Sequence, residues 1–542
     1  FGSSISADQF CRAGCAFGTL TSCASCILLS LALIFSAMSM PVGAMKHLLV
    51  RPAVAAPLDP NFAPMVLAKR TYLKAVAAAS GAWEGILGTV LKGSPVYLEW
   101  ALPRADGCAR YKLPVFPEGH EDLDASIYLA GALIQEMIWQ RSAKALLLSG
   151  PSKICEALVK DFSVGGKYSF EVTSMPNVCG TPDTPFEVKI VSSTAELPEA
   201  KDSPQVCGKT ANGCRLAFDL GKSDIKTVAV KDGEVVYSKE TEWDVTNPDP
   251  DYHFKAVTDA LKLAKEKLPK VDAVGGSATG TLGANNEATW CDIFPNVPPP
   301  VYKQKVVDIF QRIAKDVAGD VPLKVINDGE VTALAAVQKL EGKGNIMGIS
   351  MGSSEGAGYA NAEGNLMGWI NELCYVRLDL NPEAPTDPWT KGAHTGMSHM
   401  YLGQRGATKL AAKAGVKVPA NYVYPHPDMC TIKHENHAQC LKLIQKAMED
   451  KDLRPQVEQL YVTMGVYLGY ALAQYCEFYP IDHVMILGRV SKGAGGDIML
   501  NTAKKVLEVE FPEYAGMQFH TADDHFKAVG QCIAAAALPS IA

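Results

Sequence analysis

The chain lacks an excess of positive charge. Its 51 Lys and Arg residues are outnumbered by 58 Asp and Glu residues, which gives a formal net charge of -7. Proteins that bind nucleic acid without sequence preference contact the phosphate backbone through a basic surface. An acidic chain provides no general surface of this kind, so nucleic acid is not an expected partner.

Cysteine is sparse as well. The chain has 15 Cys in 542 residues, and four of them, Cys11, Cys15, Cys23 and Cys26, lie near its beginning. The others are scattered singly, whereas disulfide scaffolds are short and rich in cysteine. This distribution excludes a disulfide framework and is typical of a reduced compartment.

The apolar run near the N-terminus is too short to cross a membrane. No charged residue occurs between Arg12 and Lys46, and this gap contains the run CILLSLALIFSAMSM. Its length of about 15 residues is below the ~20 that a spanning helix needs. The length fits the core of a signal peptide, although a single Arg is a weak basic region. We therefore expect no stable membrane insertion.

Two interpretations of residues 1–44 stay open. They are either an organelle or secretory leader, or non-native sequence ahead of a start at Met38, Met40 or Met45. The first predicts an organelle-targeted or secreted protein. The second, with translation starting near Met45, predicts a cytoplasmic one.

Length and composition indicate a globular protein with several structural units. Hydrophobic residues make up 48% and charged residues 20% of the chain, which excludes a largely disordered protein. A polar stretch at 193–212, containing proline and lacking periodicity, predicts a boundary. We expect an additional α/β domain of unknown role at 45–205, a first lobe at 206–330 and a second lobe at 331–542.

The pattern before this boundary is mixed α and β. The pair Asp106-Gly107 separates two strand-like runs, which predicts a hairpin. An amphipathic stretch, a short buried strand ending at Gly150 and a further helix follow. These elements support an additional N-terminal α/β domain.

The pattern after the boundary is more regular. CRLAFDL, IKTVAV and EVVYSKE read as three antiparallel strands joined by tight turns, and a helix and the short strand VDAVGGS follow. This β-β-β-α-β order opens a ribonuclease-H-like nucleotide-binding lobe, and a looser version of it recurs towards the C-terminus. Near the C-terminus, a long helix containing Gly465 and Gly469 is expected to pack closely on another helix, and the loop RVSKGAGG is expected to precede a helix that begins at Asp497. The predicted fold class is α/β, with two such lobes after the N-terminal domain.

Six motifs then resemble one known family. FDLGKSD, GGSATG, VINDGEVTALAA, GISMGSSEGAGY, GWINELCY and MILGRVSKGAGG occur in the order seen in the ROK group of sugar kinases and regulators, over roughly residues 213–535. That group belongs to the acetate/sugar kinase, actin and heat-shock ATPase superfamily. The resemblance implies ATP-dependent phosphoryl transfer to a hydroxyl of a sugar or polyol, with ATP and Mg²⁺ as cofactors. Whether the chain forms a homo-oligomer is left open.

The phosphate-binding residues are expected in two tight turns, because such turns expose backbone N–H groups to phosphate oxygens. The first contains Gly221, Lys222 and Ser223, and the second contains Gly352, Ser353 and Ser354. The resemblance implies that they hold the β- and γ-phosphates. It also implies that Asp219 faces Mg²⁺ through water and that adenosine lies near Gly488.

The acceptor-binding residues are expected at and near the end of the strand VIND, where open α/β sheets place ligands. The resemblance makes Asp328 the general base and Asn327 a contact for sugar hydroxyls. It adds Glu372, while Asn296 is a further candidate contact. The structural alternatives are that Asn327 and Asp328 cap a helix starting at Glu330, that Glu372 is an ordinary surface residue and that Asn296 is a turn residue.

The motifs depart from the family pattern at several positions. The usual phosphate turn DxGGTK is DLGKSD here, so Lys222 replaces Gly. Asp224 stands where Lys is common and would repel a phosphate if it pointed inward. Tyr375 occupies the position of a His, and the zinc-binding Cys cluster of the family is missing from that region.

A separate cluster of potential metal ligands lies further along the chain. Cys430, His434, His437 and Cys440 fall within eleven residues. Two Cys and two His can bind tetrahedral Zn²⁺. The spacing lacks a CxxC pair, so a polar surface loop is the default interpretation.

Two other functions use the same scaffold. The first alternative is a non-catalytic sugar-binding regulatory protein, although residues 45–205 contain no basic recognition helix of a DNA-binding repressor. The second is phosphoryl transfer to a carboxylate, as in acetate kinases. This acceptor needs no general base, and so it fits Asp328 less well.

Overall fold

The computed structural model describes most of the chain after residue 46. It describes residues 47–80, 95–206, 212–222, 224–283, 285–291, 293–387, 390, 394–419, 434–521 and 524–541. The predicted segment 1–44, Ser223 and Cys430 therefore lie outside the described residues. No helix within the described residues is both long enough and apolar enough to cross a membrane.

Residues 47–206 form a four-stranded sheet and several helices that pack on it. The expected hairpin at Asp106-Gly107 is present, and its two strands continue into a sheet with the strand order β2-β1-β3-β4. β3 is antiparallel to β1, whereas β4 is parallel to β3. The elements of this part are α1 (Met65–Ala79), β1 (Val96–Pro103), β2 (Cys108–Val115), α2 (Leu123–Arg141), β3 (Ala145–Ser149), α3 (Ser152–Asp161), α4 (Ser169–Val178) and β4 (Glu187–Ile190).

A five-stranded sheet follows, in the order β11-β8-β5-β6-β7. β5, β6 and β7 are antiparallel, and Asp232 and Gly233 both have positive φ in the turn that joins β6 to β7, as a tight hairpin requires. β8 and β11 are added in parallel. The elements are β5 (Cys214–Leu220), β6 (Asp224–Lys231), β7 (Glu234–Glu242), α5 (Pro250–Lys265), β8 (Ala273–Ala278), β9 (Thr281–Leu282), β10 (Ala288–Trp290), α6 (Pro299–Lys305), α7 (Ile309–Ala318) and β11 (Leu323–Asn327).

The second large sheet has four strands in the order β13-β12-β14-β15. β12 and β13 form a hairpin, and β14 and β15 continue in parallel. The elements are α8 (Asp328–Lys339), β12 (Ile346–Met351), β13 (Glu355–Ala360), α9 (Gln404–Ala411), α10 (His434–Ala447), α11 (Arg454–Tyr475), β14 (His483–Leu487), α12 (Gly493–Glu510), β15 (Gln518–Thr521) and α13 (Asp524–Ala536). The predicted α/β class with two ribonuclease-H-like sheets is confirmed.

Glycines let α11 and α12 pack closely. A Cβ atom at Gly465 would lie 2.5 Å from Met499 O, and one at Gly469 would lie 2.6 Å from Val506 Cβ. α12 also begins earlier than the sequence indicated, since Gly495 belongs to the helix rather than to a loop. A Cβ atom there would lie 2.3 Å from the ring of Tyr461, so only glycine allows the first turn to form against α11.

The C-terminal helix returns to the first large sheet. α13 packs on β5, β6 and β8 as well as on α8. Arg215 of β5 holds the end of the chain, because its guanidinium donates to the carbonyl oxygens of Ala536 and Pro539. The predicted boundary between the lobes at residue 330 is not tested by this packing and stays a prediction.

The N-terminal part shares its core with the second large sheet. Phe62 and Val66 belong to the core around α11, and Cys374 and Tyr375 belong to the core built by α2. An interaction at the boundary stretch adds to this, since Gln205 N donates to Leu366 O. The interpretation of 45–205 as an independent domain therefore stays a prediction.

Gly358→Ala should lower the free energy of unfolding by about 3 kcal/mol, the upper range for overpacking a filled site. α8 meets β13 backbone to backbone: a Cβ atom at Gly358 would lie 2.0 Å from Gly329 O, and one at Gly329 would lie 2.1 Å from Ala357 O. Gly356→Ala, on the same strand, is the matched control, because nothing lies within 4 Å of its Cβ position. Urea unfolding measures both variants, and equal midpoints would contradict the proposed contact.

Candidate functional site

The ends of three neighbouring parallel strands, β5, β8 and β11, converge at Asp328. β11 ends at Asn327, α8 begins at Asp328, and the parallel neighbour β8 ends at Ala278. Thr279, the residue after β8, donates from Oγ1 to Asp328 Oδ2 at 2.9 Å and from its N–H to Leu220 O at 3.4 Å. The carboxylate is therefore held in one orientation beside the end of β5.

Asn327 caps the helix that Asp328 begins. Its Oδ1 accepts from Gly329 N at 2.7 Å, and its Nδ2 donates to Gly280 O at 2.8 Å. The capping interpretation is thus confirmed for Asn327, although α8 begins two residues earlier than Glu330. Since both ends of the amide are engaged, the expected contact between Asn327 and a sugar hydroxyl stays a prediction.

The first of the two predicted phosphate-binding turns is held by a hydrogen bond within its own backbone. Gly221 N donates to Asp224 O at 3.1 Å, and Gly221 O accepts from Trp243 Nε1 at 2.9 Å. The N–H group of Gly221 therefore stabilises the turn and is not directed at a ligand. Ser223 lies outside the described residues, so its expected role is untested.

Lys226 supplies a positive charge that the sequence motifs did not reveal. It lies opposite Asp219 across the β5–β6 pair, with Nζ at 3.5 Å from Asp219 Oδ2 and 2.7 Å from Asp224 Oδ1. Burial by itself lowers the pKa of Lys226, but the charges of Asp219 and Asp224 outweigh this effect and raise the pKa above its ordinary value. Asp224 is thus paired, and its negative charge is offset by a neighbouring ammonium group.

These residues do not form a ready-made site for Mg²⁺. Mg²⁺ in proteins usually takes one or two carboxylates together with water and substrate phosphates. Asp219 is a suitable oxygen ligand, but the ammonium group of Lys226 already faces its carboxylate and would repel a second cation. Within the part of the chain that the structure describes, no group of three or more His, Cys, Asp or Glu residues could hold a metal ion. The magnesium site at Asp219 stays a prediction that the side-chain arrangement does not favour.

The second phosphate turn joins β12 to β13. Gly352 N donates to Ser354 O, and Gly352 O accepts from Gln404 N, which fixes the turn against α9. Gly488, with φ 94°, lies directly beneath it, since a Cβ atom there would be 2.4 Å from Met351 O. Gly352 and Gly488, which were predicted separately to bind phosphate and adenosine, therefore lie close together.

Ser353 and Ser354 carry the unused donors of this turn. No described residue accepts a hydrogen bond from the backbone N–H of either serine. The hydroxyl oxygen of Ser354 is out of contact with solvent and has no hydrogen-bond partner among the described residues. A buried hydroxyl of this kind is costly unless a ligand or water satisfies it.

Glu372 lies against the N-terminal part of the chain. Its N–H donates to Trp139 O at 2.9 Å, and its Oε2 accepts from Cys374 Sγ at 3.3 Å. Burial raises the pKa of the Cys374 thiol well above its ordinary value, so this sulfur remains protonated and donates. Glu372 is half-buried rather than fully exposed.

Asn296 forms its side-chain hydrogen bond with the loop before α5. Its Nδ2 donates to Thr246 O at 2.7 Å, in the loop that precedes α5. No contact recorded for the described residues joins it to Asp328 or Glu372. Its expected contact with a sugar stays a prediction.

Two residues of the candidate metal cluster, His437 and Cys440, are buried in α10, so the default interpretation as a polar surface loop is wrong for them. His437 Nδ1 lies 3.1 Å from Thr408 Oγ1, and Cys440 is fully buried beside it. Burial lowers the pKa of His437 to about 4, with a smaller contribution from Arg405. Cys430 and the side chain of His434 are not described, so the structure does not test zinc binding by the four residues together.

Three residues near the candidate site, Thr279, Lys226 and Trp139, were not predicted from the sequence. Thr279 had a weak signal, because it is the first hydroxyl residue after the strand VDAVGGS in the motif GGSATG. Lys226 had a stronger one: a tight turn between β5 and β6 fixes the register, and that register places residue 226 opposite Asp219. Trp139 had no local signal, because it lies in a helix distant in sequence from both lobes.

The structure was compared with known proteins. No family model and no curated protein matches the sequence. Among solved structures, a ROK family glucokinase from Streptomyces griseus, in complex with glucose and AMPPNP, is 18% identical with a TM-score of 0.44, over 60% of this chain and 98% of that chain. A ROK hexokinase from Thermus thermophilus is 17% identical with a TM-score of 0.44, over 59% and 97%.

A regulator is also among these similar structures. A ROK family transcriptional regulator, a homolog of the E. coli MLC protein, is 16% identical with a TM-score of 0.46, over 60% of this chain and 77% of that chain. The family that the motifs resemble thus reappears among the similar structures. At these identities and at TM-scores below 0.5, the likeness assigns neither a family nor an activity.

Proposed function

We propose that the protein transfers a phosphoryl group from ATP to a hydroxyl of a sugar or sugar-like substrate, with Asp328 as the general base. The observation that carries the proposal is the position of the Asp328 carboxylate at the converging ends of β5, β8 and β11, oriented by Thr279. Phosphoryl transfer mainly requires positioning, charge stabilisation and a base for the attacking hydroxyl. A carboxylate held at the ligand-binding edge of a sheet meets the last requirement.

The second turn supports a polyphosphate donor. This turn offers three hydrogen-bond donors, the N–H groups of Ser353 and Ser354 and the hydroxyl of Ser354, which have no acceptor among the described residues. Each of them can donate to a phosphate oxygen. In this proposal the second turn holds the phosphates without Lys226, because Lys226 is already paired with Asp219 and Asp224. ATP is the proposed donor, with adenosine near Gly488. Mg²⁺ stays an expectation from the family resemblance, and no step is assigned to it.

A non-catalytic sugar-binding regulatory protein is the second candidate. The closed first turn favours it, because the N–H group of Gly221 is used within the turn and Asp224 takes the place of a basic residue. A protein that binds sugar without transferring phosphate has no need for a functional pair of phosphate turns. The two candidates differ in whether ADP is formed.

An ADP-release assay separates the candidates. The purified chain, with ATP and Mg²⁺, is supplied in turn with glucose, mannose, N-acetylglucosamine, sorbitol and acetate, and thermal unfolding is recorded with each compound alone. We expect ADP formation that depends on a hydroxyl acceptor. Thermal stabilisation by a sugar without ADP formation would support the regulatory protein, and ADP formation with acetate alone would contradict Asp328 as a base.

A further inference from the structure

A group of aromatic and acid–base side chains from the N-terminal part lies beside Glu372. We call it the aromatic–acid cluster: Trp139 of α2, Phe170 and Glu171 of α4, and Tyr375 and His394. The Trp139 ring stacks on Tyr375 at 4.2 Å between centroids, and the Phe170 ring lies 5.6 Å from Trp139. Trp139 Nε1 donates to Glu171 Oε1 at 3.0 Å, and His394 Nε2 lies 2.8 Å from the same oxygen.

The polar members of this cluster are incompletely hydrogen-bonded. Glu171 Oε2, His394 Nδ1 and the hydroxyl of the adjacent Tyr168 are buried and have no partner among the described residues. The Tyr168 and His394 rings lie 5.8 Å apart, so the three atoms belong to one neighbourhood. A buried polar group without a partner costs about 1–3 kcal/mol, and native proteins retain few of them. Three together indicate a place where a hydroxylated ligand or water is bound.

The cluster lies between the predicted acceptor residues of the two halves. On one side, Trp139 O accepts from the N–H of Glu372. On the other side, the Trp139 ring is 6.3 Å from the ring of Trp290, a residue of β10 that is 39% exposed. Trp290 lies against Gly280, which in turn accepts from Asn327 Nδ2. A continuous set of contacts therefore connects Glu372, the cluster and the end of β11.

We propose that the aromatic–acid cluster is a third wall of the acceptor site and selects a sugar in its closed-ring form. A pyranose has an apolar C–H face that can pack on Trp290 and Phe170, and hydroxyls at its rim that can bond with Glu171, His394 and Tyr168. An open-chain polyol has no such face. A small carboxylate acceptor such as acetate has neither this face nor a rim of hydroxyls. The proposal rests on the proposed function, since it assigns the acceptor class of the same site.

Tryptophan fluorescence without nucleotide tests this wall independently of catalysis, because Trp139 and Trp290 report on the site. Glucose, mannose and N-acetylglucosamine are the ring probes, and sorbitol and acetate are the comparison ligands. We expect a saturable change with at least one ring sugar and none with sorbitol or acetate. Asp328→Asn should retain this change, since it removes the base and leaves the wall intact.

Two variants test the polar groups. Glu171→Gln should weaken sugar binding at least tenfold, as expected for loss of a hydrogen bond to a charged group. Tyr168→Phe removes a hydroxyl that has no partner among the described residues, so it should not lower the stability of the free protein, while it should weaken sugar binding. Glu187→Gln is the matched control, because this glutamate is exposed on β4 and should bind sugar like the unchanged protein.

The outcomes distinguish this proposal from the proposed function. If Glu171→Gln and Tyr168→Phe bind sugar as tightly as the unchanged protein, the wall is wrong while the kinase stands. The same conclusion follows if sorbitol binds as well as the ring sugars, or if ADP is released with an acceptor that changes no fluorescence. If no compound binds and no ADP forms, the proposed function fails and this inference falls with it. Should Glu171→Gln not fold, Tyr168→Phe alone decides.

Discussion

Asp328→Asn should reduce kcat about a thousandfold, within the usual range of 10²–10⁴ for loss of a general base. The amide keeps an oxygen that can accept from Thr279, so the side chain should stay in place while losing its ability to take a proton. ATP affinity should change little, because the nucleotide is proposed to bind at the turn containing Ser354. The measurements are ADP release with the best acceptor and equilibrium binding of ATP.

Asp320→Asn is the matched control for this substitution. Asp320 precedes β11 in the same half of the protein, and its side chain is 91% exposed. Its variant should turn over at the rate of the unchanged protein. If Asp328→Asn also retained more than about a tenth of the activity, the assignment of the base would be wrong, because a proton acceptor at this position contributes far more.

Lys226→Met should lower the free energy of unfolding by about 3 kcal/mol. The substitution preserves the length of the side chain but removes the ammonium group that pairs with Asp219 and Asp224. Both carboxylates are more than nine-tenths buried, and breaking a buried pair from one side typically costs about 3–5 kcal/mol. The lower end applies because Lys226 itself retains some contact with solvent. Urea unfolding at neutral pH measures the effect.

Two further variants show whether the loss comes from unpaired charge. Lys231→Met changes an exposed lysine at the end of the same strand and should leave stability within about 0.5 kcal/mol. The double variant Lys226→Met with Asp224→Asn removes one of the two unpaired carboxylates, and so it should recover part of the stability. Equal stabilities for Lys226→Met and Lys231→Met would show that the buried pair contributes nothing.

Local patterns in the sequence predicted much of the scaffold. The hairpin at Asp106-Gly107, the three antiparallel strands after residue 213 and the close packing of α11 on α12 were all readable, because each depends on turn chemistry or periodicity within a short window. The start of α12 was wrong by a few residues. The closely spaced glycines predicted a loop, whereas Gly495 allows the first turn of α12 to pack against the ring of Tyr461.

The candidate site was only partly predictable, since its residues differ in how far apart they lie in sequence. Asp328, Gly352 and Gly488 follow strands, and the ends of neighbouring parallel strands meet at one edge of a sheet. Asp224 and Lys226 lie two residues apart on the same face of β6, so the ammonium group offsets the charge that was expected to repel a phosphate. Likewise, only the folded turn showed that the N–H group of Gly221 donates to Asp224 O within the turn.

By itself, the sequence determined the order of strands and helices along the chain and the strand ends that carry polar side chains, because hydrophobic periodicity and tight turns act over a few residues. Only the tertiary structure placed α2 and α4 beside Glu372 and Tyr375 and thereby brought Trp139, Glu171 and His394 together. The contacts of Trp139 with Tyr375 and of Glu171 with His394 join residues more than 200 positions apart. They arise from burying two distant apolar surfaces in one core, and no local pattern encodes them.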